Sequence, residues 1–145
     1  AFGTSVDIFV PPHDWINSSG ILAVEAAHMN IIRGRGTGLR NWRPRFAYLR
    51  IFLQILAFRL AHALEKTTPA YPYVLNFGKH REACSYRLED EDVFEGIDYA
   101  YRKDGLFLVV VHLHSFDKEK KARLGRVIAR AKELNAEFVR PSVLF

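Results

Sequence analysis

The run at residues 106–113, Leu-Phe-Leu-Val-Val-Val-His-Leu, constrains this chain more than any other stretch. All of it but His112 is apolar, so it reads as a strand covered on both faces. Strands of that kind belong to parallel sheets, whose connections are helices. A helix does follow, at residues 117–134. Leu124, Val127, Ile128, Ala131 and Leu134 repeat at three and four, while Lys118, Lys120, Lys121, Arg123, Arg126, Arg130 and Lys132 cover the other face. Residues 137–140 then read as a last strand before Pro141.

The same alternation runs upstream. Residues 6–10 carry β-branched and aromatic side chains and stop at Pro11 and Pro12, which cannot donate to a ladder, so they predict a short strand ending in a rigid turn. Ser18 or Ser19 can cap a helix that Ile21, Leu22, Val24, Glu25 and Ala26 carry to about His28. Asn30 to Arg33 is a second strand, followed by a basic loop in which Gly34, Gly36 and Gly38 alternate with other residues, running to about Arg45. Residues 46–64 are apolar on nearly every side, but Arg50, Gln54, Arg59 and His62 interrupt them, which predicts a largely buried helix rather than a membrane span. Residues 73–77 read as a strand and residues 90–103 as an amphipathic helix, with Val93, Phe94, Ile97 and Tyr101 at helical spacing and Gly105 ending it. The order predicts one α/β domain over residues 1–145, with a mainly parallel sheet of about five strands.

Composition agrees. At 145 residues, 49% hydrophobic and 26% charged, a core can form without metal or disulfide. Cys84 is the single cysteine, so no internal disulfide is possible; that fits a reducing, cytoplasmic compartment. The chain opens at Ala1 with no signal peptide or starting methionine, which points to processing or truncation. The net charge of +5 is concentrated: between Glu25 and Glu65 there is no acid, while Arg33, Arg35, Arg40, Arg43, Arg45, Arg50 and Arg59 all fall there. One reading is a binding module in which the segment from Arg33 to Arg50, with Trp15 and Trp42, grips nucleic acid, phosphate or an acidic glycan. The other is a solvated connection balanced by Glu89, Asp90, Glu91 and Asp92.

In α/β sheets ligands bind beyond the carboxyl ends of strands. Three such ends carry chemistry: Pro11-Pro12-His13-Asp14-Trp15, Asn76-Phe77-Gly78-Lys79-His80-Arg81, and His112-Leu113-His114-Ser115-Phe116-Asp117. His112 and His114, two apart on a strand, present both imidazoles to one face, as a strand does when it supplies two metal ligands or a ligand and a base. The competing reading has each imidazole bonded to backbone. His13 beside Asp14 can ligate or orient, or simply fill a turn; His28, His62 and His80 stand singly, and Cys84 reads as a packing residue. The Gly34, Gly36, Gly38 series fits neither phosphate-loop spacing, and no G-x-S-x-G, H-E-x-x-H or C-x-x-C occurs.

The runs Phe9-Val10-Pro11-Pro12-His13-Asp14-Trp15-Ile16-Asn17 and Val109-Val110-Val111-His112-Leu113-His114-Ser115-Phe116-Asp117 resemble the proline-rich and last motifs of the polysaccharide deacetylases with NodB homology. The resemblance implies a partial or distorted (β/α) barrel and metal-assisted hydrolysis of N-acetyl groups on a carbohydrate. It implies that Pro12, His13, Asp14 and Trp15 form one wall of a substrate groove. His114, with His112 as the alternative, would protonate the leaving amine, and Asn41-Trp42 faintly echoes the motif that orients the base. The family's base aspartate, metal-binding aspartate and H-x-x-x-H pair, which hold zinc or a similar divalent ion, have no counterpart here, and Phe9 stands where the family usually has Arg. The resemblance therefore implies the C-terminal portion of such a barrel, with open edges that favour self-association or pairing with a missing N-terminal segment.

Overall fold

The computed structural model describes residues 7–35, 46–65, 67–112 and 116–145, and of Asp14, Phe46 and Ala47 the backbone alone. Trp42, His114 and most of the arginine-glycine loop lie outside the described residues.

Pro11 and Pro12 end the first strand early. β1 is Ile8–Phe9, and the chain enters a single 3-10 turn, Pro12–Asp14. α1, Ser18–Ala26, is capped by neither expected serine: Asn17, in extended conformation, accepts the Gly20 N–H at 2.8 Å through its side chain. Gly20 is needed because a Cβ there would meet Ile16 at 2.7 Å. β2, Asn30–Gly34, returns parallel to β1, with Ile8 opposite Asn30 and Phe9 opposite Ile31. Ile21 and Val24 of α1 cover Ile31, with Phe9, Ile16 and Met29 around them.

The central strand is the one the sequence pattern did not suggest. Arg81–Arg87, named β4 below, reads Arg-Glu-Ala-Cys-Ser-Tyr-Arg, too polar for a buried strand, yet its five inner residues are buried. It runs parallel to β2, from Ile31 opposite Glu82 to Gly34 opposite Ser85. Its polar side chains are tolerated because partners come with them: Ser85 donates to the Arg33 carbonyl at 3.1 Å, and Glu82 meets Arg33 and His80.

The expected strand at residues 73–77 is reduced to β3, Leu75–Asn76, and it is antiparallel to the start of β4, with Leu75 opposite Glu82. A tight turn reverses the chain: Phe77 N–H donates to the His80 carbonyl at 3.0 Å, and Gly78 holds φ +88°, which side chains rarely adopt. α2, Phe46–Ala61, lays Ile51 and Ile55 on Leu75. It is not the largely buried helix expected, because β3 is a narrow platform and the far side of α2 stays exposed.

β5, Val109–Val110, pairs parallel with Tyr86 and Arg87 at the end of β4. It lies on the same edge as β3, since His80 directs its carbonyl to Phe77 and Tyr86 its N–H to Leu108, and even-numbered residues of one strand share a side. The strand expected over residues 106–113 shrinks to Val109–Val110, residues 106–111 are half-buried rather than covered on both faces, and residue 113 lies outside the described residues. α3, Val93–Arg102, and α4, Lys118–Glu133, cover β4 and β5: Tyr86, Leu88, Val93 and Val127 form the core, with Phe107, Val109 and Leu124 packed on it. Asp117 caps α4, accepting the Lys120 N–H at 2.8 Å.

Residues 137–140 are not a strand. Phe138 and Val139 line a cavity of about 630 Å³ together with Leu106, Leu108, Leu134 and Leu144. The chain ends instead in a 3-10 turn, Pro141–Val143. The result is an α/β fold with a five-stranded sheet in the order β1-β2-β4-β3, β5 also on β4, mostly parallel but with one antiparallel pair. Among the described residues no clear barrel is formed, in place of the partial or distorted barrel expected.

Candidate functional site at the carboxyl edge of the sheet

Because β1, β2, β4 and β5 are parallel, their carboxyl ends share one edge. Two of the three strand ends singled out from sequence meet that condition. The third does not: β3 is antiparallel, so Lys79, His80 and Arg81 lie at the opposite edge, where β4 begins.

After β1, Pro11 is buried, Pro12 and His13 are exposed, and Trp15 stands 56% exposed. His13 adopts φ +54°, a left-handed conformation inside the turn. After β5, His112 is exposed, and His114 lies outside the described residues. Between these ends lies a feature that no motif announced. Arg35, just past β2, stacks its guanidinium 5.0 Å from the Tyr86 ring centre, pairs with Asp90 at 3.3 Å and donates to Asp92. The turn after β4 is further held by Arg123 of α4, which donates to the Leu88 carbonyl at 2.7 Å and the Asp90 carbonyl at 2.6 Å. Lys120 reaches Glu89 at 2.9 Å. That hydrogen bond from Lys120 holds the Glu89 carboxyl below the usual range, with lesser help from His112. A cleft of about 300 Å³, lined by Tyr86, Asp92, Glu95, Tyr99 and Arg102 among others, opens beside Asp92.

The pairing of Arg35 with Asp90 and Asp92 is the balance of basic segment against acidic cluster that sequence offered as one of two readings. Arg33 is also neutralised, buried beside Glu82 at 3.1 Å. Two arginines of the proposed anion-gripping segment are therefore already paired with acids, while Arg50 is exposed on α2. Arg40, Arg43, Arg45 and Trp42 lie outside the described residues.

His13 and His112 do not converge. β2 and β4 stand between their strands, so the two exits are about 14 Å apart at the usual strand spacing. Among the described residues no group of three or more His, Cys, Asp or Glu is arranged to hold a metal. The described residues thus do not fit the divalent ion that the deacetylase resemblance implies, and no hydrolytic step is derived through one.

The remaining histidines are placed plainly. His62 ring Nδ1 lies 2.7 Å from the Phe58 carbonyl of its own helix. His80 is fully buried, its Nδ1 3.2 Å from Glu25 and its Nε2 3.1 Å from Glu82, stacked on Phe77 at 4.9 Å. A carboxylate only accepts, so a hydrogen bond to either acid needs a proton on the facing His80 nitrogen. Cys84 is buried and its thiol is pushed up to about 12 by burial, which makes it the packing residue expected.

Comparison with protein-family models, curated proteins and solved structures finds no match to this chain. Among the described residues no helix is long and apolar enough to cross a membrane.

Proposed function

We propose that this chain is a carbohydrate-directed domain of the polysaccharide-deacetylase type, which holds an N-acetylated glycan along the carboxyl edge of its parallel sheet. One observation carries the reading: the segment Pro12 to Trp15 and the segment containing His112 leave the same edge, with the Arg35, Asp90 and Asp92 clamp between them. In this reading Trp15 offers an apolar face on which a sugar ring stacks. His13, Asp14 and the carboxylates of the clamp supply hydrogen bonds to hydroxyl and acetamido groups. His114, or His112 in its place, is the proton donor to a leaving amine, a role taken from the resemblance alone. A divalent ion, zinc in the family, would supply the Lewis acid; since the described residues do not gather its ligands, the proposal for this chain rests on binding.

The test is titration of the 145-residue chain with an N-acetylglucosamine tetramer, followed by nuclear magnetic resonance and tryptophan fluorescence. Shifts confined to Trp15, Arg35, Asp92 and His112, weakened about tenfold in Trp15→Ala, are expected. Shifts elsewhere, or none at millimolar sugar, would overturn the reading.

A further inference from the structure

α2 has two apolar faces, and among the described residues only one of them packs on the sheet. Tyr48, Ile51 and Ile55 are buried, the two isoleucines on Leu75. On the other side Leu49, Leu53, Leu56 and Leu60 recur at spacings of four, three and four, with Leu53 54% and Leu60 67% exposed. Just past the helix Leu64 is fully exposed. At about 100° per residue these helical leucines fall within an arc of about 60°, turned away from the isoleucines. Arg50 and Arg59, both exposed, sit about 90° to either side of that arc. No acid occurs from Ala26 to Leu64.

We propose that α2 is a membrane-surface element: its leucine stripe enters the headgroup boundary of an anionic lipid surface, and Arg50 and Arg59 reach out on either flank to lipid phosphates. Charge selects this occupant. Two copies of the same helix would bring arginine flanks and an acid-free segment against each other, whereas an anionic bilayer complements both the stripe and its flanks. Arginine stems lie along apolar surface while their guanidinium groups stay in water, which suits a helix lying in the interface plane. The opposite face is already fixed to the sheet, so the helix lies flat on the surface rather than inserting across it.

The experiment is co-sedimentation with phosphatidylcholine vesicles with and without phosphatidylserine, using wild type, Leu53→Gln/Leu60→Gln and Arg50→Gln/Arg59→Gln, all changes at exposed positions. Wild type is expected to pellet only with the anionic vesicles. The leucine variant should lose about tenfold or more of its partitioning, and the arginine variant should lose the preference for anionic lipid. No pelleting would overturn the proposal. So would pelleting of the leucine variant equal to wild type, since the arginine-rich segment alone would then suffice. A concentration-dependent dimer that the leucine variant abolishes, without vesicle binding, would also overturn it by assigning the stripe to a second copy.

Discussion

Arg33 and Arg35 lie two residues apart in sequence, and both reach across to the segment of β4, yet their surroundings differ completely. Arg33 is 7% exposed and joins Glu82, with His80 and Glu25 beyond it, inside the protein. Arg35 is 26% exposed and joins Asp90 and Asp92 where the strands end. The inner cluster is buried and its members face one another, so they are enclosed away from the surface. The outer cluster meets water, and its acids retain lone pairs that a polar ligand can address. Similar residue types are thus enclosed at one depth and open to solvent at the next.

The comparison breaks most sharply at the inner cluster. Removing one member leaves a buried charge uncompensated, so Arg33→Met or His80→Ala should cost about 3–5 kcal/mol in urea unfolding. Cys84, opposite Arg33 in the ladder and inert because burial raises its thiol, gives a second readout: a thiol reagent should label it slowly in wild type and quickly in either variant. A loss below about 1 kcal/mol would mean that water reaches the cluster and that the two depths do not differ.

Gly96 is next. A Cβ there would lie 2.3 Å from the Tyr86 ring, and that ring cannot yield easily, because its hydroxyl accepts the Ala70 N–H at 3.0 Å while Arg35 stacks on the ring. Alanine for glycine in an exposed helix gains up to about 1 kcal/mol. Gly96→Ala should nevertheless destabilise by about 1–2 kcal/mol net and weaken sugar binding at the edge, since displacing the ring displaces Arg35. A stabilised variant would show that the ring is free to move. Arg35→Gln should cost about 1 kcal/mol, an effect that shrinks as salt is added. The same salt titration on Arg33→Met should change little, because its partners are out of reach of ions.

The contrast between depths also accounts for what was legible in the sequence. Helices α1, α3 and α4 and the places of β1, β2 and β5 could be read because apolar side chains recur there at the helical or strand period. β4 could not: Glu82 and Ser85 look like surface residues until Arg33 and His80 arrive from elsewhere in the chain to satisfy them. The direction of β3 was equally hidden, since a turn closed by Gly78 and a parallel crossover look alike in a short apolar run. Residues 137–140 have strand composition but join no ladder, and composition alone does not report pairing. At the site, Pro12, His13 and Trp15 could be named from the rule of strand ends. That Arg35 balances Asp90 and Asp92 was one of two readings of the charge pattern, but their meeting at the strand ends was not legible, because it depends on β2 and β4 being neighbours.

The smallest effect lies at the rim of the outer cluster. Lys120 holds the Glu89 carboxyl below its usual range, so the folded value lies under the unfolded one. A depressed carboxyl contributes stability that is present above the unfolded value, near pH 4.5, and is lost as pH falls through the folded value. The pair is partly exposed and lies at the surface, so Lys120→Met should cost only a few tenths of a kcal/mol at pH 7. Wild type and variant should converge in unfolding free energy once pH has fallen below the folded value, where Glu89 is protonated in both. A difference that persists at that pH would trace to packing of the lysine stem rather than to its charge. The rim would then be held by contact, as the interior is, and the outer cluster would be less distinct from the inner one than its exposure indicates.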